Sequence, residues 1–239
     1  MDTEIPLPVL INEEDSSEFG PLGFSPDGSM LIVRTQCKYS IYNIASRSMT
    51  LLEKPSNGPS FIPYSCGSVT WSPDSKRIYI ADSTWGGSGE GSRTPGLWRY
   101  TTNGQGINLL PPVIDEDGFV SYNSDNGLIP FNKALAPWED IANSNLYFLF
   151  VPSETHYSEP FSLVRSQMDG KTDRTVMRPD TLYPGESLWA PDGSFIIIVQ
   201  NGAIESTVKM ILVPIHPSLS ITTLIPCARR NILDLHWGP

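Results

Sequence analysis

Several features that would point to a particular chemistry are missing from this 239-residue sequence. The three cysteines, Cys37, Cys66 and Cys227, lie far apart, so no zinc or redox motif of closely spaced thiols is present. No stretch approaches the ~18 consecutive apolar residues of a membrane-spanning helix. The N-terminus has neither a basic nor an apolar region, so no signal peptide is predicted.

The sequence is therefore compatible with more than one cellular compartment. A chain that is complete as written would be cytoplasmic, whereas a chain from which a leader was removed would be periplasmic or extracellular.

Catalytic signatures are also missing. The nucleophile elbow Gly-x-Ser-x-Gly is approached only at residues 86–90, where the last position is Glu90. The three histidines, His156, His216 and His236, are scattered, and no histidine–acid pair can be identified from spacing. The glycine-rich residues 84–95 contain no phosphate-binding motif and precede no helix. We therefore expect that the chain is not an enzyme.

Positive charge is scarce: 16 lysines and arginines stand against 26 acidic residues, for a net charge of −10. A field of that sign repels phosphates and anionic lipids, so the sequence predicts no nucleic-acid partner and no membrane insertion. A basic peptide or cationic ligand would be attracted instead. The simpler explanation for the acidity is solubility.

Turn-forming residues are abundant, with 22 prolines and 19 glycines. Residues that break helices at this frequency leave room only for short segments, so the sequence predicts an all-β fold. The runs between the turns are rich in β-branched and aromatic residues, which favour strands.

One short phrase recurs between these runs and predicts a repeated architecture. Its complete copies contain Phe24, Pro26, Asp27 and Gly28; Trp71, Pro73 and Asp74; and Trp189, Pro191, Asp192 and Gly193. Proline presets φ for a turn, aspartate accepts backbone N–H groups, and glycine supplies positive φ. The bulky residue that opens each copy is expected to pack between adjacent sheets. A stub ends at Pro239, and residues 134–140 are a candidate degenerate copy.

The spacing of the phrase suits a propeller blade of four strands, which takes about 40 to 50 residues. We predict a β-propeller in one domain, 1–239, with about four complete blades at 20–55, 66–112, 132–180 and 186–227. Residues 5–12 and 231–239 are predicted closing strands of a partial blade. The ring would then be five-bladed, or open and incomplete.

The phrase and the apolar strand after it resemble the TolB-like β-propeller repeat, which also occurs in the propeller domains of prolyl-oligopeptidase-type peptidases. The stretches that carry the resemblance best are residues 69–81 and 188–199, followed by 23–33. Residues 97–100 with Asn103-Gly104 are similar to the third strand and hairpin of that repeat, whereas residues 111–145 depart from it. The resemblance implies the propeller fold, which hosts binding, scaffolding and enzymatic roles alike.

Two sets of side chains are candidates for binding. Aromatic and charged residues in predicted loops or at strand ends could contact a ligand: Trp85, Glu90, Arg93, Tyr122 and Trp138. Residues 115–127 contain the densest group of oxygen ligands, which is the ligand type that calcium prefers, and the candidate ligands among them are Asp115, Asp117 and Asp125. Their spacing does not match an EF-hand, so we expect no cofactor, with calcium as the one alternative.

Three functions stay open at this point. The leading hypothesis is a non-catalytic binding or scaffolding module that recognises a protein or peptide through its loops and its pore-side face. The second is the substrate-gating propeller of a larger prolyl-oligopeptidase-like serine hydrolase, and the third is a metal-dependent small-molecule enzyme. Self-association through open edge strands is a further partner hypothesis.

Overall fold

The structure is a computed structural model that describes residues 20–35, 38–53, 68–82, 96–110, 133–151, 160–182, 184–201 and 208–228. These residues form sixteen β-strands. Within the same ranges there is no helix that is long and apolar enough to cross a membrane. The all-β prediction is confirmed.

The strands form four antiparallel sheets, and each sheet takes four strands that follow one another in the chain. Sheet one contains β1 (Gly20–Phe24), β2 (Met30–Thr35), β3 (Lys38–Asn43) and β4 (Ser48–Leu51). Sheet two contains β5 (Ser68–Trp71), β6 (Arg77–Asp82), β7 (Gly96–Thr101) and β8 (Gly106–Asn108). Sheet three contains β9 (Lys133–Asp140), β10 (Asn145–Val151), β11 (Phe161–Gln167) and β12 (Thr175–Leu182). Sheet four contains β13 (Pro184–Trp189), β14 (Phe195–Asn201), β15 (Val208–Pro214) and β16 (Thr222–Ala228).

Four such meanders are the four-stranded blades that the sequence predicts. The candidate degenerate copy of the phrase, residues 134–140, lies in β9, the first strand of its sheet. The predicted closing strands, 5–12 and 231–239, lie outside the described residues.

The chain divides into two compact units, Met1–Pro111 with sheets one and two and Pro112–Pro239 with sheets three and four. Each unit has its own apolar core. In β14, Ile196 and Ile198 are fully buried and Ile197 between them is half-buried, because alternate side chains point to opposite faces of a strand. The assignment of 1–239 to a single domain stays a prediction.

The recurring phrase forms the same tight turn after β1, β5 and β13. Pro26, Pro73 and Pro191 are exposed at the corresponding place in each turn. The aspartate that follows each proline accepts the backbone N–H two residues later, at 3.0 Å to Asp27, 3.1 Å to Asp74 and 3.0 Å to Asp192. The next residue is left-handed, with φ of 70° at Gly28 and Gly193 and 60° at Ser75. These contacts hold consecutive strands in register.

The aromatic residue that opens each phrase packs against the preceding sheet of its own unit in two of the three copies. Trp189 is buried, and its indole Nε1 donates to the carbonyl of Ala136 in β9 at 2.7 Å. Trp71 is half-buried, and its Nε1 donates to the carbonyl of Gly23 in β1 at 3.3 Å. Phe24 is 59% exposed, so the expectation that it packs between sheets is wrong for the described residues. Its sheet is the first of those described, which leaves no described sheet before it to pack against.

Candidate functional site

Most of the residues that the sequence analysis singled out for binding lie outside the described part of the chain. They are Trp85, Glu90, Arg93 and Tyr122 of the ligand set and Asp115, Asp117 and Asp125 of the calcium set. Both assignments stay predictions. Within the described ranges, no group of three or more His, Cys, Asp or Glu side chains is arranged to hold a metal ion.

Trp138 is the one candidate of the ligand set that the structure describes. It is half-buried and stacks on Trp189, with ring centroids 5.8 Å apart and an interplanar angle of 29°. Tyr147 is tilted against it at 6.0 Å. Aromatic pairs in this range of distance and tilt stabilise the packing of sheets three and four beyond their buried area. A ligand-binding role for Trp138 stays a prediction.

The strand register places Trp138 beside a polar surface. Trp138 in β9 is directly opposite Tyr147 in β10, and Tyr147 is opposite Arg165 in β11. Residues opposite each other on antiparallel strands present their side chains on the same face. The row therefore runs from a half-buried tryptophan through a buried phenol to a half-buried guanidinium.

A second row lies nearer the end of sheet three, and we call it the acid–amide row: Asp140, Asn145, Gln167 and Asp173. Asn145 is opposite both Asp140 and Gln167 in the strand register. Gln167 then donates through Nε2 to Oδ2 of Asp173 at 2.6 Å, which connects the row to the turn before β12. The row thus has a carboxylate at each end and two amides between them.

An open cleft of about 490 Å³ lies at this end of the sheet. Asn143 and Ser144 of the β9–β10 turn line one side, and Met168 and Asp173 of the β11–β12 turn line the other, while Asn145, Arg165 and Gln167 line the strand ends between them. The two turns share this end because β10 and β11 are joined at the opposite end of the sheet. We call this site the sheet-three cleft.

The two turns have related local structures. Ser144 and Asp173 are both left-handed, with φ of 55° and 52°, which is uncommon for residues other than glycine. Asn143 donates to both oxygens of Asp140, through its backbone N at 3.2 Å and its Nδ2 at 2.8 Å. In the opposite turn Thr172 and Lys171 hold the carboxylate of Asp169, and hydrogen bonds from Thr172 first, then from Lys171, lower the pKa of Asp169 to about 2. Both turns are therefore fixed by their own side chains.

The electrostatics of the cleft are mixed. Burial raises the pKa of Tyr147, the negative charge of Asp140 raises it further, and the Arg165 guanidinium opposes both. The phenol is therefore neutral at physiological pH, and Arg165 lies against it. The cleft offers the donors of the Arg165 guanidinium, the acceptors of the Asp173 carboxylate, and three amides that each both donate and accept.

Among the described residues that line the cleft, no nucleophile has a base beside it. A serine–histidine contact occurs elsewhere in the second unit, where Ser218 Oγ lies 2.7 Å from His216 Nδ1. Both residues are exposed in the turn between β15 and β16, and Ser218 also donates its backbone N–H to the same ring nitrogen at 3.4 Å. That pattern is a local turn contact between residues two apart.

The sequence analysis missed Asn145, Arg165, Gln167 and Asp173. Their proximity depends on the pairing of β9, β10 and β11, which brings together residues far apart in sequence. One part of the site could have been predicted: a tight turn at residues 141–144 would place Asp140 opposite Asn145, as the structure does.

Comparison with known proteins bears on the fold. No protein-family model and no curated protein matches the sequence. Among solved structures, the chain is similar to TolB from Acinetobacter baumannii at 13% identity and a TM-score of 0.51, over 86% of this chain and 42% of that one. It is also similar to a chain of a nidogen/laminin complex at 14% identity and a TM-score of 0.55, over 94% of this chain and 74% of that one.

The chain thus spans less than half the length of the TolB structure, and at such identities the likeness speaks for architecture alone. It agrees with four consecutive four-stranded meanders and with the recurring turn that the sequence predicted. The fold of this chain is a TolB-like β-propeller built from four-stranded blades.

Proposed function

We propose that the chain is a non-catalytic binding module that recognises a protein or peptide, and that the sheet-three cleft is a contact site for that partner. The observation that carries the proposal is the chemistry of the cleft wall. A guanidinium, a carboxylate and several side-chain amides converge on an open cleft of about 490 Å³. Proteins often place their binding residues on turns and loops held by a rigid scaffold.

This chemistry matches an extended peptide. Each residue of a peptide presents one backbone donor and one backbone acceptor, and amide side chains can form hydrogen bonds with both. Asn143 in the β9–β10 turn and Asn145 and Gln167 on neighbouring strands provide three such amides. The fold supports the proposal at a general level, because a neighbour with this fold comes from a complex between nidogen and laminin. Recognition through the pore-side face is part of the same proposal but has no contact in the described residues to support it.

The test is selection from a displayed library of random peptides, with the full chain as bait. Peptides that are enriched are then titrated against the wild type and Gln167→Trp, in which an indole occupies the cleft at an exposed strand end. Thr101→Trp is the matched control, since Thr101 ends β7, the third strand of sheet two, as Gln167 ends β11 in sheet three.

We expect Gln167→Trp to weaken binding by at least about tenfold, because a filled cleft loses its central contacts, as at interface hot spots. Thr101→Trp should leave the affinity unchanged. No enrichment, or peptides that bind both variants as tightly as the wild type, would contradict the proposal.

A further inference from the structure

The acid–amide row suggests the kind of peptide that the cleft accepts. Asp140 and Asp173 stand at its two ends, and neither forms an ion pair with any other residue in the described ranges. Asn145 and Gln167 between them are uncharged. The row therefore presents two separate negative charges along one line across the sheet.

The nearby cations have other partners, and Lys171, in the same turn as Asp173, acts on Asp169. Arg165 lies against Tyr147 in the neighbouring row. Arg174 is turned away: its guanidinium donates to the Gly170 carbonyl at 2.7 Å and lies 4.2 Å from the ring centroid of Phe150. The chain as a whole has a net charge of −10, which attracts cationic partners over a longer range.

The strand spacing sets the distance between the two charges. Asp140 ends β9, and Asp173 precedes β12, so the row crosses three intervals between strands. At roughly 4.8 Å per interval this is about 14 Å. An extended peptide covers that distance in about four residues at roughly 3.3 Å each, and side chains four residues apart point to the same side.

We propose that the sheet-three cleft binds an extended basic segment in which two lysine or arginine side chains lie four residues apart. One cation pairs with Asp140 and the other with Asp173, while Asn145 and Gln167 bond the peptide backbone between them. This inference rests on the proposed function and names the chemistry of its partner.

The experiment uses three fluorescein-labelled peptides and the full chain, with affinity measured by fluorescence anisotropy. The first peptide has a Lys-Ser-Thr-Ser-Lys core, the second has the same residues with the lysines adjacent, and the third has glutamates in place of lysines. We expect the first to bind about two- to tenfold more tightly than the second, because each exposed ion pair adds a modest gain. The third should not bind measurably.

Variants then locate the charges. Asp173→Asn keeps an acceptor for Gln167 and should weaken the first peptide about two- to fivefold, and the double variant with Asp140→Asn should abolish its advantage over the second. Glu53→Gln removes one negative charge from sheet one's unit and is the matched control, with no expected change. Thermal unfolding verifies that each variant is folded.

The outcomes separate this inference from the proposed function. Equal binding of the first two peptides, or full affinity in the double variant, overturns the inference. If peptides selected from the library still shift the side-chain amide resonances of Asn145 and Gln167 in NMR spectra, the proposed function stands without it. If no peptide shifts those resonances, both are overturned.

Discussion

Within each unit the two sheets are joined by the same kind of tryptophan contact, whereas the contact at the phrase turn differs between the units. In each, a tryptophan at the end of a first strand donates its indole N–H to a carbonyl in the first strand of the preceding sheet: Trp71 to Gly23 and Trp189 to Ala136. Both acceptors lie where the strand register shifts. An irregularity in the ladder exposes a carbonyl that the neighbouring sheet then uses.

The contact at the phrase turn differs between the units. In the first, the backbone N–H of Asp27 donates to Ser75 Oγ at 3.1 Å, so one turn bonds directly to the next. In the second, the ring of Trp138 lies against Gly193, where an added Cβ would come within 2.1 Å of it. Ser75 and Gly193 hold the same place in the phrase, but one forms a hydrogen bond and the other contacts an aromatic ring. The repeat therefore determines the backbone of the turn and not the type of side-chain contact that the turn makes.

The largest expected difference between the units concerns the two tryptophans. Trp189→Ala removes a buried ring that stacks on Trp138 and contacts Tyr147, and we expect it to lower the free energy of unfolding by about 3–5 kcal/mol. Trp71→Ala removes a half-buried ring with a longer hydrogen bond and should cost about 1–3 kcal/mol. Urea unfolding followed by far-UV circular dichroism measures both. Equal losses would mean that the aromatic cluster adds nothing to the second unit.

A pair of glycines sharpens the contrast at the turns. Gly28 and Gly193 share a φ of 70°, but a Cβ at Gly28 would meet no atom of the described residues within 4 Å. Gly28→Ala should therefore lower the free energy of unfolding by about 1–2 kcal/mol, the cost of a left-handed conformation for a residue with a Cβ. Gly193→Ala adds a collision with Trp138 and should cost about 1–3 kcal/mol more in the same unfolding assay.

Trp138→Leu provides the control for this pair. In the Gly193→Ala background, the smaller leucine side chain should restore part of the lost free energy of unfolding. In the wild-type background, Trp138→Leu should destabilise the protein because it removes the stacking on Trp189. Identical costs for the two glycine substitutions would show that Trp138 adjusts freely and does not hold the turn.

The sequence predicted the sheets because their signals are local. Proline, aspartate and glycine at residues 26–28 and 191–193 define a turn through contacts within a few residues, and alternating β-branched runs define the strands beside it. The third sheet was harder, because its first hairpin turns at residues 141–144 without this phrase. The expectation for Phe24 was wrong because its exposure depends on what lies beside the first sheet, which a turn motif does not encode.

The cleft could not be predicted in the same way. Gln167 and Asp173 meet only because the β11–β12 turn is left-handed at Asp173, and Asn145 joins them only through the register of β10 with β11. A one-residue shift in that register would send Asn145 to the other face. Composition and motif searches detect neither condition, so the candidates found from sequence were chosen by residue type in predicted loops or at predicted strand ends.

The smallest expected effect concerns the phrase turn at Asp27 in the first unit, compared with the phrase turn at Asp192 in the second. The hydroxyl of Ser25 donates to Asp27 Oδ1 at 2.6 Å, whereas Ala190 stands at that place before Asp192. Hydrogen bonds from Ser25 first, and then from Ser29, lower the pKa of Asp27 to about 2. Ser25→Ala should raise that pKa, leaving Asp27 with only the Ser29 contacts and the Ser75 link.

A ¹³C NMR titration of the carboxyl groups between pH 1.5 and 5 measures this shift, with Asp169 as the internal reference because Thr172 and Lys171 set its pKa of about 2. A carboxyl whose folded pKa lies below its unfolded value stabilises the protein above about pH 4, and that stabilisation is lost as the pH falls through about 2. Ser25→Ala should therefore reduce the part of the acid sensitivity that comes from Asp27. If the pKa of Asp27 stays at about 2, the Ser29 contacts and the Ser75 link set it without the Ser25 hydroxyl.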